Sequence, residues 1–511
     1  MEQQETRQKA LSGALGTEQE ILAYAAQKQA LIDEKALKLL ARFPHYREII
    51  DQLAQASFML TGEQVGKAIV RHETKMVAEP EALAVDKSAL QAHPRPGEHR
   101  YRLLSELDVT DKSSSEGGIK DFLVYFRDKF EFLSGLLRRR QGFQPKDLAS
   151  AKMLPPKSAC DVLGMVNEKW ESKNGNLILR LEDLETELLV VVSKENKTLV
   201  AYCDRALPDT VVGVRGQKIG AEMVIANDVF LPDLPQRQFR KIEEDVCVAS
   251  ISDLHVGSKL FLEKEFGTFI EWLNGKADNP KDLELIQKIK YLFITGDCVD
   301  GVGIYPDQFD ELAVKDVFEQ YKKFSAYIKA VSPHIQVFIC PGKHDAVRRA
   351  EPQPAIPREF VPELYELPNV HFIGSPSWIE VEGLNVLVYH GSSVHDLYAS
   401  TNFLSSKSPE KALVELLKRR DLMVGYGLSN PYIPEKKDYM LIRLEPDLFL
   451  AGDMHRNGYD TYRGCIVINN GTWQTATTYH SEKGYVPTPG RVPIIHLNTG
   501  AIEEKRFYGE T

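Results

Sequence analysis

Apolar residues between Thr17 and about Arg71 recur at helical spacing: Ile21, Leu22 and Ala25, then Ile32, Ala36, Leu39 and Leu40. This predicts a small helical domain over residues 1–75. The pattern then lapses. Residues 76–118 carry Pro80, Pro94, Pro96 and the run SSSEGG, a composition that buries little apolar surface and reads as a flexible linker. Helical spacing returns in IKDFLVYFRDKFEFLSGLLRRRQ, where Phe122, Leu123, Phe126, Phe130, Phe132, Leu133 and Leu136 form a wide aromatic stripe. A helix packed on a neighbour is expected in this connection, residues 119–150. Arg138, Arg139 and Arg140 at its end favour interaction with the helix C-terminus over phosphate contact.

Over residues 151–238 the period changes to two. ACDVLGMVNEKWESKNGNLILRLED reads as two strands joined through Asn174-Gly175, and TELLVVVS, VVGVRGQKI and AEMVIANDVFLPDLP add more. About five strands in this length predict a small closed barrel of OB type. Its main aromatics are Trp170 and Tyr202, so docking or spacing weighs at least as much as single-strand binding. From 239 to 511 strands alternate with helical segments. Five polar clusters each follow an apolar run: VCVASISDLH, KYLFITGDCVDG, IQVFICPGKHD, LNVLVYHG and LFLAGDMH. Ligands gather beyond the carboxyl ends of strands in α/β sheets, so these clusters are expected to meet in one crevice.

Composition narrows the function. A chain of 511 residues with 43% hydrophobic and 27% charged residues is an ordinary globular protein, too long for one core. Its net charge of −10 argues against an overall basic wrapper of nucleic acid, while leaving room for a local groove or bound cations. The six cysteines form no CxxC pair, which points away from a zinc finger or disulfide framework and towards a reducing cytoplasm. MEQQETRQKALSGALG lacks an apolar core, and no stretch approaches the length of an apolar membrane span; neither secretion nor membrane insertion is expected.

The chemistry lies in the joint order of the clusters: Asp253 and His255, Asp297, His344 and Asp345, His390, and His455, with about 45 to 65 residues between successive ones. Imidazoles and carboxylates on strand ends suit a shared site for Mn, Fe or Zn. His395, Asp396, His334, His371 and His480 fall outside these positions and read as surface or capping residues. Asp300 reads as a residue that supports a ligand or shapes a turn.

The motif order DxH, GDxxD, GNH[DE], H and GHxH is that of the calcineurin-like metallophosphoesterase superfamily, which this chain resembles. SEGGIKDFLVYFRDKF, GMVNEKWESKNGN, ISDLHVGS, GDCVDGVGIYP, HDAVRRAEPQP and NNGTWQT together are similar to the small subunits of archaeal family-D DNA polymerases, over nearly the whole chain. The resemblance implies a multidomain α+β protein: a helical N-terminal domain, an OB-fold and a C-terminal α/β/β/α sandwich. It also implies a large polymerising subunit as partner, with other replication proteins as further candidates, and a two-metal 3′-to-5′ exonuclease acting on DNA 3′ ends. One cation, Mn by expectation with Fe, Zn or Mg as alternatives, would sit on Asp253, His255, Asp297 and His455. A second would share Asp297 and take His390 and positions 343 and 453. His344, oriented by Asp345, would protonate the leaving 3′ oxygen.

Two positions depart from that pattern. Asn is expected at 343 and His at 453, and the chain has Lys343 and Asp453. An ammonium cannot bind a cation, but the exchange of one amide and one imidazole for one ammonium and one carboxylate leaves the formal charge unchanged. The reading is that Lys343 pairs with Asp453 and Asp297 where the second cation would be. Alternatives are an outward Lys343 on DNA phosphate with Asp453 still ligating, or an inactive scaffold subunit. A free-standing phosphatase would need neither barrel nor N-terminal helices. The charged stretch KRRDLMVGYGLSNPYIPEKKD is a candidate surface for the partner, as is the barrel's exposed face.

Overall fold

In the computed structural model, which describes residues 17–43, 46–54, 58–76, 99–477 and 485–509, Thr17 opens the first helix with a capping box. Its hydroxyl accepts from Glu20 N, and the Glu20 carboxylate accepts from Thr17 N. The chain forms two units, Met1–Leu83 with Ala313–Gln320, and Ala84–Leu312 with Tyr321–Thr511. In the first, helices Glu18–Gln27, Glu34–Leu40, Tyr46–Ala54 and Gly62–Met76 enclose Ile21, Ala25, Leu40, Ile49, Ile50 and Val65. A two-residue parallel pair, β1 (Leu31–Ile32) with β2 (Met59–Leu60), joins them, and Ile32 lies in that strand rather than in a helix.

In the second unit, β3 (Tyr101–Leu103) precedes a closed barrel of β4 (Ala159–Glu171), β5 (Leu177–Glu182), β6 (Glu187–Val192), β7 (Val211–Gly220) and β8 (Met223–Phe230), ordered β4-β5-β6-β8-β7. Alternate valines and leucines fill it, among them Val162, Leu179, Val190, Val212 and Val224. Gly175 turns the first hairpin with φ 79°, as the Asn-Gly pair predicts. Helix Ile119–Arg138 lays Phe130, Leu133 and Leu137 against Phe143, Leu163, Met165, Val211 and Phe230. The arginines at its end do different things: Arg138 donates to Pro145 O at 3.4 Å, and Arg140 stacks 4.2 Å above the Phe230 ring.

Two six-stranded sheets follow. The first, ordered β12-β11-β10-β9-β18-β19, has four parallel strands, β9 (Cys247–Ile251), β10 (Ile289–Thr295), β11 (Gln336–Cys340) and β12 (Val370–Phe372), and an antiparallel hairpin, β18 (Arg491–His496) with β19 (Ile502–Arg506). The second, ordered β16-β17-β15-β14-β13-β3, contains β13 (Ser377–Val381), β14 (Leu384–Val388), β15 (Leu448–Ala451), β16 (Gly458–Tyr462) and β17 (Cys465–Asn469). Val248, Phe293 and Phe338 of the first share one core with Val386, Leu450 and Ile468 of the second. The other face of the second sheet packs Leu387, Phe449 and Val467 against Leu413, Leu416 and Leu417 of helix Pro409–Arg419. Strands β9, β10 and β11 are buried at every residue, the signature of a covered parallel sheet.

The linker expected over 76–118 needs correction from His99 onward; residues 77–98 lie outside the described residues. Strand β3 adds to the second sheet beside β13, and Leu104 and Val109 are buried. The serine-rich run is held as well. Glu435, 1% exposed, accepts from Ser114 N at 3.0 Å and Ser115 N at 3.2 Å and pairs with Arg348 at 3.2 Å. Composition missed this because the run's polar groups meet a buried carboxylate instead of water.

Candidate metal centre

Five loops leave the carboxyl ends of β9, β10, β11, β14 and β15, and they bring the five polar clusters together. The turns are sharp. Asp253, His255, Asp297, Asp453 and His455 all adopt left-handed backbone conformations, with φ between 51° and 67°. Each such non-glycine residue costs about 1–3 kcal/mol, so five in one place mark a site that the surrounding fold holds under strain. Backbone hydrogen bonds tie the loops: Asp253 N to Gly296 O, and His255 N to Asp297 O, both at 3.0 Å, and Gly452 N to His390 O at 2.7 Å. Glycine is required where the backbone passes close to these side chains. A Cβ on Gly452 would overlap Ser252 Oγ and come 2.7 Å from Asp253 Oδ2, and one on Gly342 would overlap Asp297 Oδ1.

Three sets of ligand atoms lie within 4.8 Å of one another: Asp253, His255 and His455; His255, Asp297 and His344; Asp253, Asp297 and His390. In the first set, His255 Nε2 and His455 Nε2 stand 3.0 Å apart, and His455 Nε2 lies 3.3 Å from Asp253 Oδ1. The other nitrogen of His255 meets Asp300 Oδ1 at 3.0 Å, which fixes the ring. His390 Nδ1 donates to Thr295 O at 2.9 Å, so its Nε2 faces Asp297 Oδ2 and Asp453 Oδ1, each at 3.4 Å.

The field of the site favours positive charge. Burial opposes protonation of His255, yet Asp300, Asp297 and Asp253 pull it up to about 9. His390 is raised well above its ordinary value against the same burial, by Asp297 and Asp453. Burial also works against ionisation of Asp297, but His390, His344 and His255 outweigh it and hold the carboxyl well below the usual range. Among the described residues, Asp253 Oδ1 and His390 Nε2 are buried without a hydrogen-bond partner. Buried, convergent nitrogen and carboxylate donors of this kind fit a divalent cation.

Position 343 differs. Lys343 Nζ lies 2.8 Å from Asp453 Oδ1 and 3.0 Å from Oδ2, with its side chain about one-third exposed and Asp453 5% exposed. Burial opposes the charge on Lys343, and Asp453 overrides it. Burial likewise opposes ionisation of Asp453, and Lys343 and His395 hold its carboxyl well below the ordinary value.

Two further placements depart from expectation. Asp345 does not orient His344. Its carboxylate accepts from Gly342 N at 2.9 Å, Cys298 N at 3.1 Å and Tyr321 OH at 2.9 Å, binding two loops together, while His344 Nδ1 donates to Asp300 O at 2.7 Å. Directly following His344 in sequence sends the Asp345 side chain elsewhere. His395, read as a surface or capping residue, reaches Asp453 Oδ2 at 3.2 Å. The signal was available: helix Val394–Ser400 starts four residues after His390, so its first turn must lie beside the site. Its neighbour Asp396 does cap a loop, accepting from Ser429 N and Asn430 N. His371 bonds Gln336 Oε1 at 2.8 Å, and burial pushes it down to about 4. His334 offers its carbonyl to His99, and His480 lies outside the described residues. The charged stretch after Leu417 turns largely inward: Arg419, Arg420 and Asp421 are buried, and Asp421 pairs with Lys129 at 2.6 Å.

A family model for the B-type subunits of DNA polymerases alpha and epsilon matches residues 248–459, which contain all five loops. The DNA polymerase II small subunit of Methanocaldococcus jannaschii is 39% identical over 413 residues, 80% of this chain and 68% of that protein. The chain belongs to the family of archaeal DNA polymerase II small subunits. The same subunit of Archaeoglobus fulgidus is 38% identical over 79% of this chain and 80% of its own length, and that of Methanothermobacter thermautotrophicus 36% over 81% and 84%. Membership in this family of polymerase subunits implies a catalytic subunit as partner. Among the described residues, no helix is long and apolar enough to cross a membrane.

Proposed function

We propose that this polymerase small subunit carries a metal-dependent 3′-to-5′ exonuclease site of reduced type, with one divalent cation on Asp253, His255, Asp297 and His455 and the Lys343 ammonium in place of a second. The phosphoesterase sandwich would span residues 239–511, with an OB-fold at 151–238 and a helical domain at 1–75. The observation that carries the reading is the Lys343–Asp453 pair at 2.8–3.0 Å beside an otherwise intact set of ligands.

A divalent cation bound there would polarise the phosphodiester and make a water molecule more acidic. The chain's own groups do the rest. Water attacks phosphorus and loses one proton to solvent, the bond from phosphorus to the 3′ oxygen breaks, and that oxygen takes a proton. His344 is placed to give it: its Nδ1 is held by Asp300 O, which leaves Nε2 for the substrate. Burial lowers the pKa of His344, so the imidazolium depends on added negative charge, which an arriving phosphate supplies. Lys343 contributes fixed positive charge towards that phosphate but cannot activate water, so turnover is expected to be slow. His395 and Lys343 together keep Asp453 ionised.

The same pair favours a second reading, a non-catalytic scaffold for the large subunit, because both Asp453 oxygens are engaged by cationic or imidazole partners. Turnover separates the two. Manganese-dependent removal of 3′-terminal nucleotides from single-stranded DNA is measured with the chain bound to its large subunit, beside Lys343→Asn/Asp453→His. Slow cutting by the parent and faster cutting by the variant supports the exonuclease. An inert parent beside an active variant supports the scaffold, and failure of both removes the phosphoesterase reading.

A further inference from the structure

The metal centre described above lies beyond the carboxyl ends of the parallel strands. A second group of ligand atoms lies at the opposite end of the same sheet. Asp245, in the loop leading into β9, is two residues before Cys247, its first residue, while Val246 and Val248 between and after them turn into the core between the sheets. His496, the last residue of β18, stands directly opposite Cys247 in the antiparallel register. Cys247 Sγ and His496 Nδ1 are 3.3 Å apart, and ligand atoms of Asp245, Cys247 and His496 all lie within 4.8 Å of one another.

We propose that Asp245, Cys247 and His496 form a zinc site, separate from the loop-borne metal centre, that pins the start of β9 to the end of β18. Tetrahedral zinc, with bonds of about 2.3 Å to sulfur and about 2.0 Å to nitrogen, separates those two atoms by about 3.5 Å, close to the spacing already present. The other ring nitrogen of His496, Nε2, lies 3.8 Å from Glu503 Oε2, a carboxylate near the imidazole but beyond hydrogen-bond distance. Lys288 holds Asp245 Oδ2 at 2.8 Å, leaving Oδ1 for the ion, and Lys505 holds the far oxygen of Glu503 at 2.9 Å.

Sulfur decides the metal. A thiolate with imidazole and one carboxylate selects zinc over manganese or magnesium, whereas the ligand groups of the loop-borne centre contain only nitrogen and oxygen. Cys247 is fully buried, and burial holds its thiol up at about 12, so binding breaks the S–H bond, forms the sulfur–zinc bond and releases one proton to solvent. Asp245, whose side chain is 47% exposed, gives the ion its route in, and three protein ligands leave the fourth position to water.

The test is a Co²⁺ titration of the full-length chain after chelation, read by sulfur-to-cobalt charge-transfer absorption. Imidazole and carboxylate ligands do not produce that band, so the loop-borne centre is silent. The expected result is a band that saturates at one equivalent, disappears on adding Zn²⁺, is weaker by about tenfold or more in Cys247→Ser and His496→Gln, and is kept in Cys465→Ser. Absence of the band from the unaltered chain at saturating Co²⁺ overturns the proposal whatever the variants do. A band at full strength in Cys247→Ser also overturns it, by assigning the sulfur elsewhere.

Discussion

In one half of the candidate metal centre, His255 and His455 turn ring nitrogens to within 3.0 Å of each other beside Asp253; in the other, Lys343 stands within 3.0 Å of both oxygens of Asp453. Both halves hang on the same kind of strand end and carry the same left-handed strain, with φ of 53° at Asp253 and 67° at Asp453. They differ in what balances the carboxylates. In the proposed reading a divalent cation would balance the first half, whereas in the second the Lys343 ammonium already pairs with Asp453. On the proposed reading, the charge balance of a metal centre would be kept while one of its positions gives up its ligand chemistry.

Asp297 belongs to both halves, so Asp297→Ala is expected to have the largest effect. Manganese affinity should fall by more than about 100-fold, measured by isothermal titration. No loss would mean that Asp297 does not hold the cation. Asp453→Asn comes next. Breaking a buried pair costs about 3–5 kcal/mol, but Lys343 is one-third exposed and reaches water when released, so a loss of about 2 kcal/mol is expected in urea unfolding. Asp300→Asn frees the His255 ring without removing a ligand, and should weaken manganese binding by about tenfold with little change in stability.

The smallest effect uses Glu351 as a reporter of charge in the Lys343 half. Burial pushes this carboxyl up to about 7, against hydrogen bonds from Tyr389 and Asn430 and the charge of Lys343. The folded chain thus binds the proton more tightly than the unfolded one. Stability from this group falls as pH rises from about 4.5 through 7 and levels off above it. Lys343→Met should move the upper limit up, followed by unfolding midpoints across that range, and Glu351→Gln should remove this group's share of the slope.

Much of this was legible in the chain. The alternation of valines in the barrel, the aromatic stripe of Phe130 and Leu133, and the buried runs of β9 to β11 are periodic signals, and physics translates them directly. The meeting of the five clusters followed from their place after strands. What stayed hidden depends on partners far along the chain. Glu435 orders the serine run near 114 from more than 300 residues away, and β3 is recognisable as a strand only beside β13. The backbone strain at Asp253 and His455 leaves no mark in residue type, since neither is glycine. Asp345 was misjudged because adjacency to His344 suggested contact where the turn directs the two side chains apart.

Whether Lys343 fills the place of one cation is decided by the manganese stoichiometry of the chain and of Lys343→Asn/Asp453→His, both in a Cys247→Ser background that keeps the sulfur-containing group out of the count. A lysine that replaces a cation gives one manganese in the parent and two in the variant. Two in the parent would mean that Lys343 yields its place to a cation, and would contradict the one-cation centre.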